Sequence, residues 1–365
     1  MRVVIKLGTS TVTGGAQAPD PARLAGYAAV LARLRTAGHQ PVLVSSGAVA
    51  AGRALRPDIA AGRDVPHKQM LAAIGQPRLM ALYQAAFADH GLVAAQILLT
   101  HADVEHRRRY LNARTTLLGL VDAGIVPIVN ENDTLATAEI RVGDNDQLSA
   151  LVAGLVDAPL LVLLTDQDGL YDADPRRAPT ARLIARIDAA EIPEAIWQAA
   201  GGAGVGLGTG GMVTKLKAAQ VARRAGTDTV IANGADPAVL ERLLAGADEG
   251  TRITALLAPR EARKRYILAG GRARGAIAVD AGARAALASE RSLLVVGVTG
   301  CDGDFGRGDT VEVRGPDQDL LGRGVANYAA GELARVAGQR SAQIEALLGY
   351  HYGPEAIHRN DLVLL

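Results

Sequence analysis

Short apolar runs rich in β-branched residues alternate with helical stretches through the first two thirds of the chain, and this alternation limits the possible folds more than any other feature. Residues 1–5, 41–44, 92–99, 125–129, 158–164 and 229–232 read as strands. Helical segments near 21–35, 67–90, 107–123, 212–225 and 236–245 fall between or after them. Strands joined by helical crossovers pair in parallel, and a parallel sheet must be covered on both faces. The expected class is therefore α/β, with a doubly wound, largely parallel sheet. Asp20-Pro21 supplies an N-cap and first helical residue, and Gly38 a stop. Residues 158–164, the most apolar run, fit a central strand.

Ligands of such sheets bind beyond the carboxyl ends of the strands. Here those ends are polar or glycine-rich: Lys6-Leu7-Gly8-Thr9-Ser10, Ser45-Ser46-Gly47, Asn130-Glu131-Asn132-Asp133, Gly143-Asp144-Asn145-Asp146 and Thr165-Asp166-Gln167-Asp168-Gly169. Asp, Asn and Ser also serve turns and caps, so each cluster alone has a structural reading. Their recurrence on one sheet edge favours a ligand. The most specific stretch is Gly206 to Lys215, with four glycines in six residues before a helical run. Unshielded backbone N–H groups at a helix N-terminus cradle phosphate. It is not a Walker loop, since Met212-Val213-Thr214-Lys215 follows the glycines. Lys215 lies in the first helical turn, where a cation opposes the macrodipole unless an anion is bound nearby. Only five of the 39 basic residues are lysine, which raises the expectation that Lys6 and Lys215 are chemically required.

Charge gives no reason to expect nucleic acid or a membrane as the main partner: the net charge is +1, residues 1–259 carry 25 basic and 25 acidic side chains, and residues 260–365 carry 14 and 13. A single cysteine, Cys301, excludes an intrachain disulfide and a cysteine-cluster metal site. No run approaches the ~20 apolar residues of a membrane span, and a cytoplasmic location is expected. The seven histidines show no pairing pattern and read as structural or solvated. After the basic cluster at 260–265, read as a linker, the texture becomes short strands at 277–279, 293–298 and 310–313 among glycine turns. This implies a small β-rich domain with few helices.

The ordered blocks Lys6-Leu-Gly-Thr-Ser, Ser46-Gly-Ala, Asn130-Glu-Asn-Asp, Gly143-Asp-Asn-Asp, Thr165-Asp and Gly208-Thr-Gly-Gly-Met-Val-Thr-Lys, with the β-rich tail, resemble the bacterial glutamate 5-kinases. That family belongs to the amino acid kinase superfamily and carries a C-terminal PUA-type barrel. The resemblance implies a catalytic domain over residues 1–258, a linker over 259–271 and a PUA-type domain over 272–365. It implies transfer of a phosphoryl group from ATP, with Mg²⁺, to the γ-carboxylate of L-glutamate, the first step toward proline. By position, Lys6, Lys215 and Asp146 resemble the catalytic set. Ser46, Asp133, Asp144 and Asn145 resemble the glutamate-binding set. Lys6, Thr165, Asp166, Thr209, Gly210, Gly211, Met212, Val213, Thr214 and Lys215 resemble the ATP-binding set, and no protein metal ligand is implied. Ser45 stands where threonine is common in the family, and Val213 where a small or polar residue often occurs. A homo-oligomer, feedback inhibition by proline and a downstream glutamyl phosphate reductase accompany the family expectation. Alternatives are another superfamily enzyme, acting on aspartate, N-acetylglutamate or carbamate, or RNA binding through the tail.

A carboxylate nucleophile, with a pKa near ~4.3, needs no general base, which fits the lack of a catalytic His or Cys in these blocks. Repulsion between two anions is the barrier to be lowered, and lysines with glycine-loop N–H groups supply the means.

Overall fold

The computed structural model describes residues 1–59, 64–135, 145–175, 178–201, 211–269 and 273–365. They divide into two units, Met1–Glu105 with Asn112–Pro259, and His106–Leu111 with Arg260–Leu365.

The first unit begins with β1 (Arg2–Leu7), α1 (Thr9–Thr13), α2 (Pro21–Thr36), β2 (Gln40–Ser45), α3 (Ala48–Leu55) and α4 (Val65–Ala88). Next come β3 (Ala94–Leu99), α5 (His101–Glu105), α6 (Arg107–Asp122), β4 (Val126–Glu131), α7 (Asn145–Leu155) and β5 (Leu160–Thr165). It closes with β6 (Arg186–Ile187), α8 (Glu194–Ala199), α9 (Met212–Arg224), β7 (Asp228–Asn233), α10 (Val239–Leu244) and β8 (Thr251–Ile253). The strands form one sheet in the order β3-β4-β2-β1-β5-β7-β8-β6. All neighbours from β3 to β7 are parallel, β8 runs antiparallel to β7, and β6 is parallel to β8.

Local chemistry explains the main elements. The Asp20 carboxylate accepts the Ala22 N–H at 2.9 Å and Pro21 opens α2, satisfying one orphan donor where proline has none to lose. Every residue of β5 is buried, as its unbroken apolar run requires of a doubly covered strand. Ile5, Leu43 and Val162 share a core with Tyr27, Tyr83 and Phe87. The buried Tyr27 hydroxyl donates to the Gly234 carbonyl at 2.7 Å, so no polar group is stranded there. Parallel register sets Lys6 beside Val44 and Leu163, and Leu7 beside Ser45. The carboxyl ends of β1, β2, β4, β5 and β7 therefore line one edge of the sheet.

The second unit contains α11 (Pro259–Ala269), β9 (Gly275–Val279), α12 (Ala281–Ala288), β10 (Leu293–Leu294), β11 (Val298–Gly303), β12 (Thr310–Arg314) and β13 (Leu320–Val325). It ends with α13 (Ala330–Val336), α14 (Ile344–Leu348), β14 (Glu355–Ile357) and β15 (Leu362–Leu364). A five-stranded sheet, β11-β9-β12-β13-β15, and the pair β10-β14 enclose a core of its own around Ile277, Val311, Phe305 and Tyr328.

Three expectations about this region change. The stretch expected as a linker is helical from Pro259 to Ala269, because proline fits the first turn and Glu261 complements the positive helix end. Arg263 there is no solvated linker charge; its guanidinium meets the buried Asp361 carboxylate at 2.5 Å. Four α-helices replace the few expected; α12, for example, starts where Asp280 accepts the Ala283 N–H at 2.7 Å. The run 293–298, expected as one strand, breaks at a 3₁₀ turn, Val295–Gly297, so that β10 pairs with β14 and β11 with β9. Gly297 permits the break, since a Cβ there would lie 2.5 Å from the Ala283 Cβ.

Candidate active site

β1 ends by delivering Lys6 into the sheet edge, α7 starts by delivering Asp146, and the first turn of α9 delivers Lys215. These residues, far apart in sequence, meet as a buried triad. Lys6 Nζ lies 2.6 Å from Asp146 Oδ1 and Lys215 Nζ 3.2 Å from Asp146 Oδ2, with Asp146 only 1% exposed. Thr214 donates its hydroxyl to Asp146 Oδ2 at 2.7 Å. Gly8 leaves room for the Lys6 side chain, since a Cβ there would stand 3.3 Å from Nζ.

Burial opposes every charge in this cluster. It would raise the Asp146 pKa, but Lys6 and Lys215 overcome it and hold the carboxyl at about 2. For Lys215 the balance falls the other way: burial lowers its pKa, against the pull of Asp146, and the Lys6 charge adds to the lowering. Asp166, exposed at the end of β5 and accepting a hydrogen bond from the Thr165 hydroxyl at 3.0 Å, also acts on Lys215. One carboxylate shared by two ammonium groups suits an anion that arrives with its own negative charge.

A second, uncharged cluster adjoins through Asn145, the residue before Asp146. Asn145 Nδ2 donates to Ser46 Oγ and to Asn130 Oδ1, both at 2.9 Å, and Asn145 Oδ1 accepts the Glu131 N–H at 3.3 Å. Asp133 differs again. Its Oδ1 is buried and has no hydrogen-bond partner among the described residues. Burial, followed by the Glu131 charge, pushes its carboxyl up to about 7. His101 Nδ1 lies 3.8 Å from Glu131 Oε1, so this histidine borders the cluster.

The structure thus brings together Lys6, Asp146, Thr214 and Lys215, and separately Ser46 and Asn145. Gly211 is the N-cap of α9, and Met212 and Val213 open its first turn. Asp144, Thr209 and Gly210 lie outside the described residues.

Comparison with known proteins fits this geometry. The amino acid kinase family profile matches residues 1–233 and the PUA domain profile residues 275–348. Glutamate 5-kinase of Shewanella amazonensis is 50% identical over 370 residues, covering 100% of this chain and 96% of that protein. Those of Herpetosiphon aurantiacus and Deinococcus radiodurans are also 50% identical, covering 100% of this chain and 98% and 100% of theirs. The chain belongs to the glutamate 5-kinases of the amino acid kinase family.

For a member of this kinase family, Gln76 and Tyr83 went unnoticed in the sequence, and Asn130 was read only as part of a polar block. Asn130 carries the bond to Asn145, and Gln76 of α4 accepts from Asn130 Nδ2 at 2.9 Å. Tyr83, fully buried, shares a 2.7 Å hydrogen bond with Ser45 Oγ. The available signal for Gln76 was its setting, Gly75-Gln76-Pro77, where a glycine and a proline interrupt an otherwise regular helix around one polar side chain.

Proposed function

We propose that the chain transfers the γ-phosphoryl group of ATP to the γ-carboxylate of L-glutamate, giving ADP and L-glutamyl 5-phosphate, the first step toward proline. The observation that carries this reading is the Lys6–Asp146–Lys215 triad. It places two ammonium groups where negative charge accumulates, beside a helix N-terminus suited to phosphate. In this reading a glutamate carboxylate oxygen attacks the γ-phosphorus, the bond to the β,γ-bridging oxygen breaks, and that oxygen leaves as ADP. Lys6 and Lys215 neutralise the oxygens of the phosphoryl group in flight, and Asp146 keeps both ammonium groups aimed. No proton need be removed from the nucleophile, since the carboxylate is already ionised.

Ser46 and Asn145 are the proposed binders of the amino-acid end, with Asp144, and Asp133 is the acceptor for its ammonium group. A buried carboxyl held near neutrality becomes fully ionised when a cation docks beside it. Thr165, Asp166 and residues 209–215 are assigned to the nucleotide. Mg²⁺ is taken to enter on the nucleotide phosphates, because among the described residues no group of three or more His, Cys, Asp or Glu is placed to hold it.

Residues 1–258 are proposed as the catalytic domain and 272–365 as the PUA-type domain. A cytoplasmic homo-oligomer, inhibited by proline and feeding a glutamyl phosphate reductase, completes the reading. ADP release measured with L-glutamate, D-glutamate, L-aspartate and N-acetyl-L-glutamate tests it. L-Glutamate should give the highest kcat/KM by at least about tenfold, and preference for another acceptor would overturn the assignment.

A further inference from the structure

The amide network behind Asn145 has a direction that reaches the substrate. Gln76 Nε2 donates to Gln96 Oε1 at 3.1 Å, which turns Gln76 Oε1 toward Asn130, whose Nδ2 donates to it at 2.9 Å. With its nitrogen so engaged, Asn130 presents Oδ1 to the Asn145 amide and to the Glu131 N–H, both at 2.9 Å. Asn145 then directs its two amide hydrogens chiefly to Asn130 and Ser46 Oγ, both at 2.9 Å, with the Ser45 carbonyl farther off at 3.4 Å. Ser46 is therefore an acceptor from the protein, and among the described residues nothing takes its own hydroxyl hydrogen, which is left for donation to a ligand. An anionic group such as an α-carboxylate is the partner that such a donor suits.

Two backbone features hold Gln76 in place. A Cβ on Gly75 would lie 1.9 Å from the Ala48 carbonyl oxygen, so glycine lets α4 press against the start of α3, directly after Ser46-Gly47. Pro77 follows inside α4, where its ring fixes the backbone dihedral next to Gln76.

We propose that Gln76 is a positioning residue for the amino-acid substrate, fixing through Asn130 the orientation of the Asn145 amide and hence the outward donor of Ser46. This rests on the assignment of Ser46 and Asn145 to the glutamate end. Loss of the Gln76 acceptor frees the Asn130 amide to rotate. Asn145 can then turn its oxygen to Ser46 and capture the hydroxyl hydrogen that the substrate needs.

The test is steady-state kinetics on the full chain. Gln76→Met keeps the length and removes the acceptor; it should raise the KM for L-glutamate about tenfold, the worth of one charge-assisted hydrogen bond, with kcat and the KM for ATP within about twofold. Gln76→Glu retains an acceptor for Asn130 and should return the KM to within about threefold of the parent. In an Asn145→Ala background, Gln76→Met should add less than about twofold, because both act on one bond chain. If Gln76→Met fails to fold, as read by its thermal melt, Gln76→Ala carries the same expectation. An unchanged KM for L-glutamate, an equal rise for ATP, or full additivity with Asn145→Ala would each refute the role. Absence of ADP release from the parent chain with L-glutamate would instead refute the proposed function, so the two failures are separable.

Discussion

Two buried aspartates at one sheet edge have opposite fates. Asp146 sits between two lysines and stays ionised down to about pH 2, whereas Asp133, buried with the Glu131 carboxylate as its electrostatic neighbour among the described residues, is held near 7. Burial is common to both, so the difference lies in the partners that the fold supplies. At Asp146 the protein brings its own cations and leaves room for a polyanion. At Asp133 no cation stands among the described residues, an arrangement that fits the proposed docking of a substrate ammonium. In the proposed function the two ends of the site meet opposite charges of their ligands.

Breaking the first end should have the largest effect. Lys6→Ala or Lys215→Ala should each lower kcat by about 10²-fold or more while the fold persists, since each cation acts mainly on charge developing in transfer. Near-normal turnover at an unchanged melting temperature would remove these lysines from the chemistry.

Asp133→Asn should raise the KM for glutamate by about tenfold or more and leave that for ATP nearly unchanged. In the parent the KM for glutamate should itself climb as pH falls below about 7, approaching tenfold per unit, because the carboxyl must lose its proton to accept an ammonium group. A pH-independent KM between 5.5 and 8, taken as roughly the window around that pKa, would contradict the assignment.

Stability of the ligand-free chain separates the pair by sign. Asp133 has a folded pKa of about 7 against 3.8 unfolded, so the native state binds the extra proton, and its contribution to stability is full below 3.8 and lost as pH rises through 7. Asp146 has a folded pKa of about 2, so its contribution is present above 3.8 and lost as pH falls toward 2. Thermal melts should show Asp133→Asn stabilised relative to the parent at pH 8 and Asp146→Asn destabilised there. Shifts of the same sign would dissolve the contrast. The smallest effect belongs to Lys217→Ala: this exposed residue lies about 200° around α9 from Lys215, and its removal should change kcat less than about twofold.

Six strands of the first unit, β1 to β5 and β7, were legible as largely apolar runs, and β5, buried along its whole length, was the clearest; β6 and β8, two and three residues long, were not. Lys6 and Lys215 were legible as rare lysines beside glycine loops. What sequence did not reveal depends on contacts between distant segments. Thr214 was assigned to nucleotide, yet its hydroxyl bonds to Asp146 in another helix. Gln76 looks like any polar residue of a long helix until Asn130, 54 residues away, is seen to need an acceptor. In the second unit, short strands and short helices carry too few residues for periodicity to speak. Val295–Gly297 is a 3₁₀ turn rather than strand, and the tight approach of Ala283 to Gly297 there is a contact between segments that no local pattern encodes.

The strand order also sets a timetable for synthesis. β1 emerges first from the ribosome and can dock on β2 soon afterwards, but its other edge waits for β5, since Val3 aligns with Leu160. At roughly 5–20 residues per second, that gap lasts on the order of ten to thirty seconds. Until β5 is made, β1 presents Val3, Val4 and Ile5 on an open edge, the kind that recruits stray strands, and late in the gap that edge bounds the half-sheet β3-β4-β2-β1. Lys6 lies on that same edge, so the residue assigned to phosphoryl transfer is among the earliest made yet waits for β5 before its edge is paired.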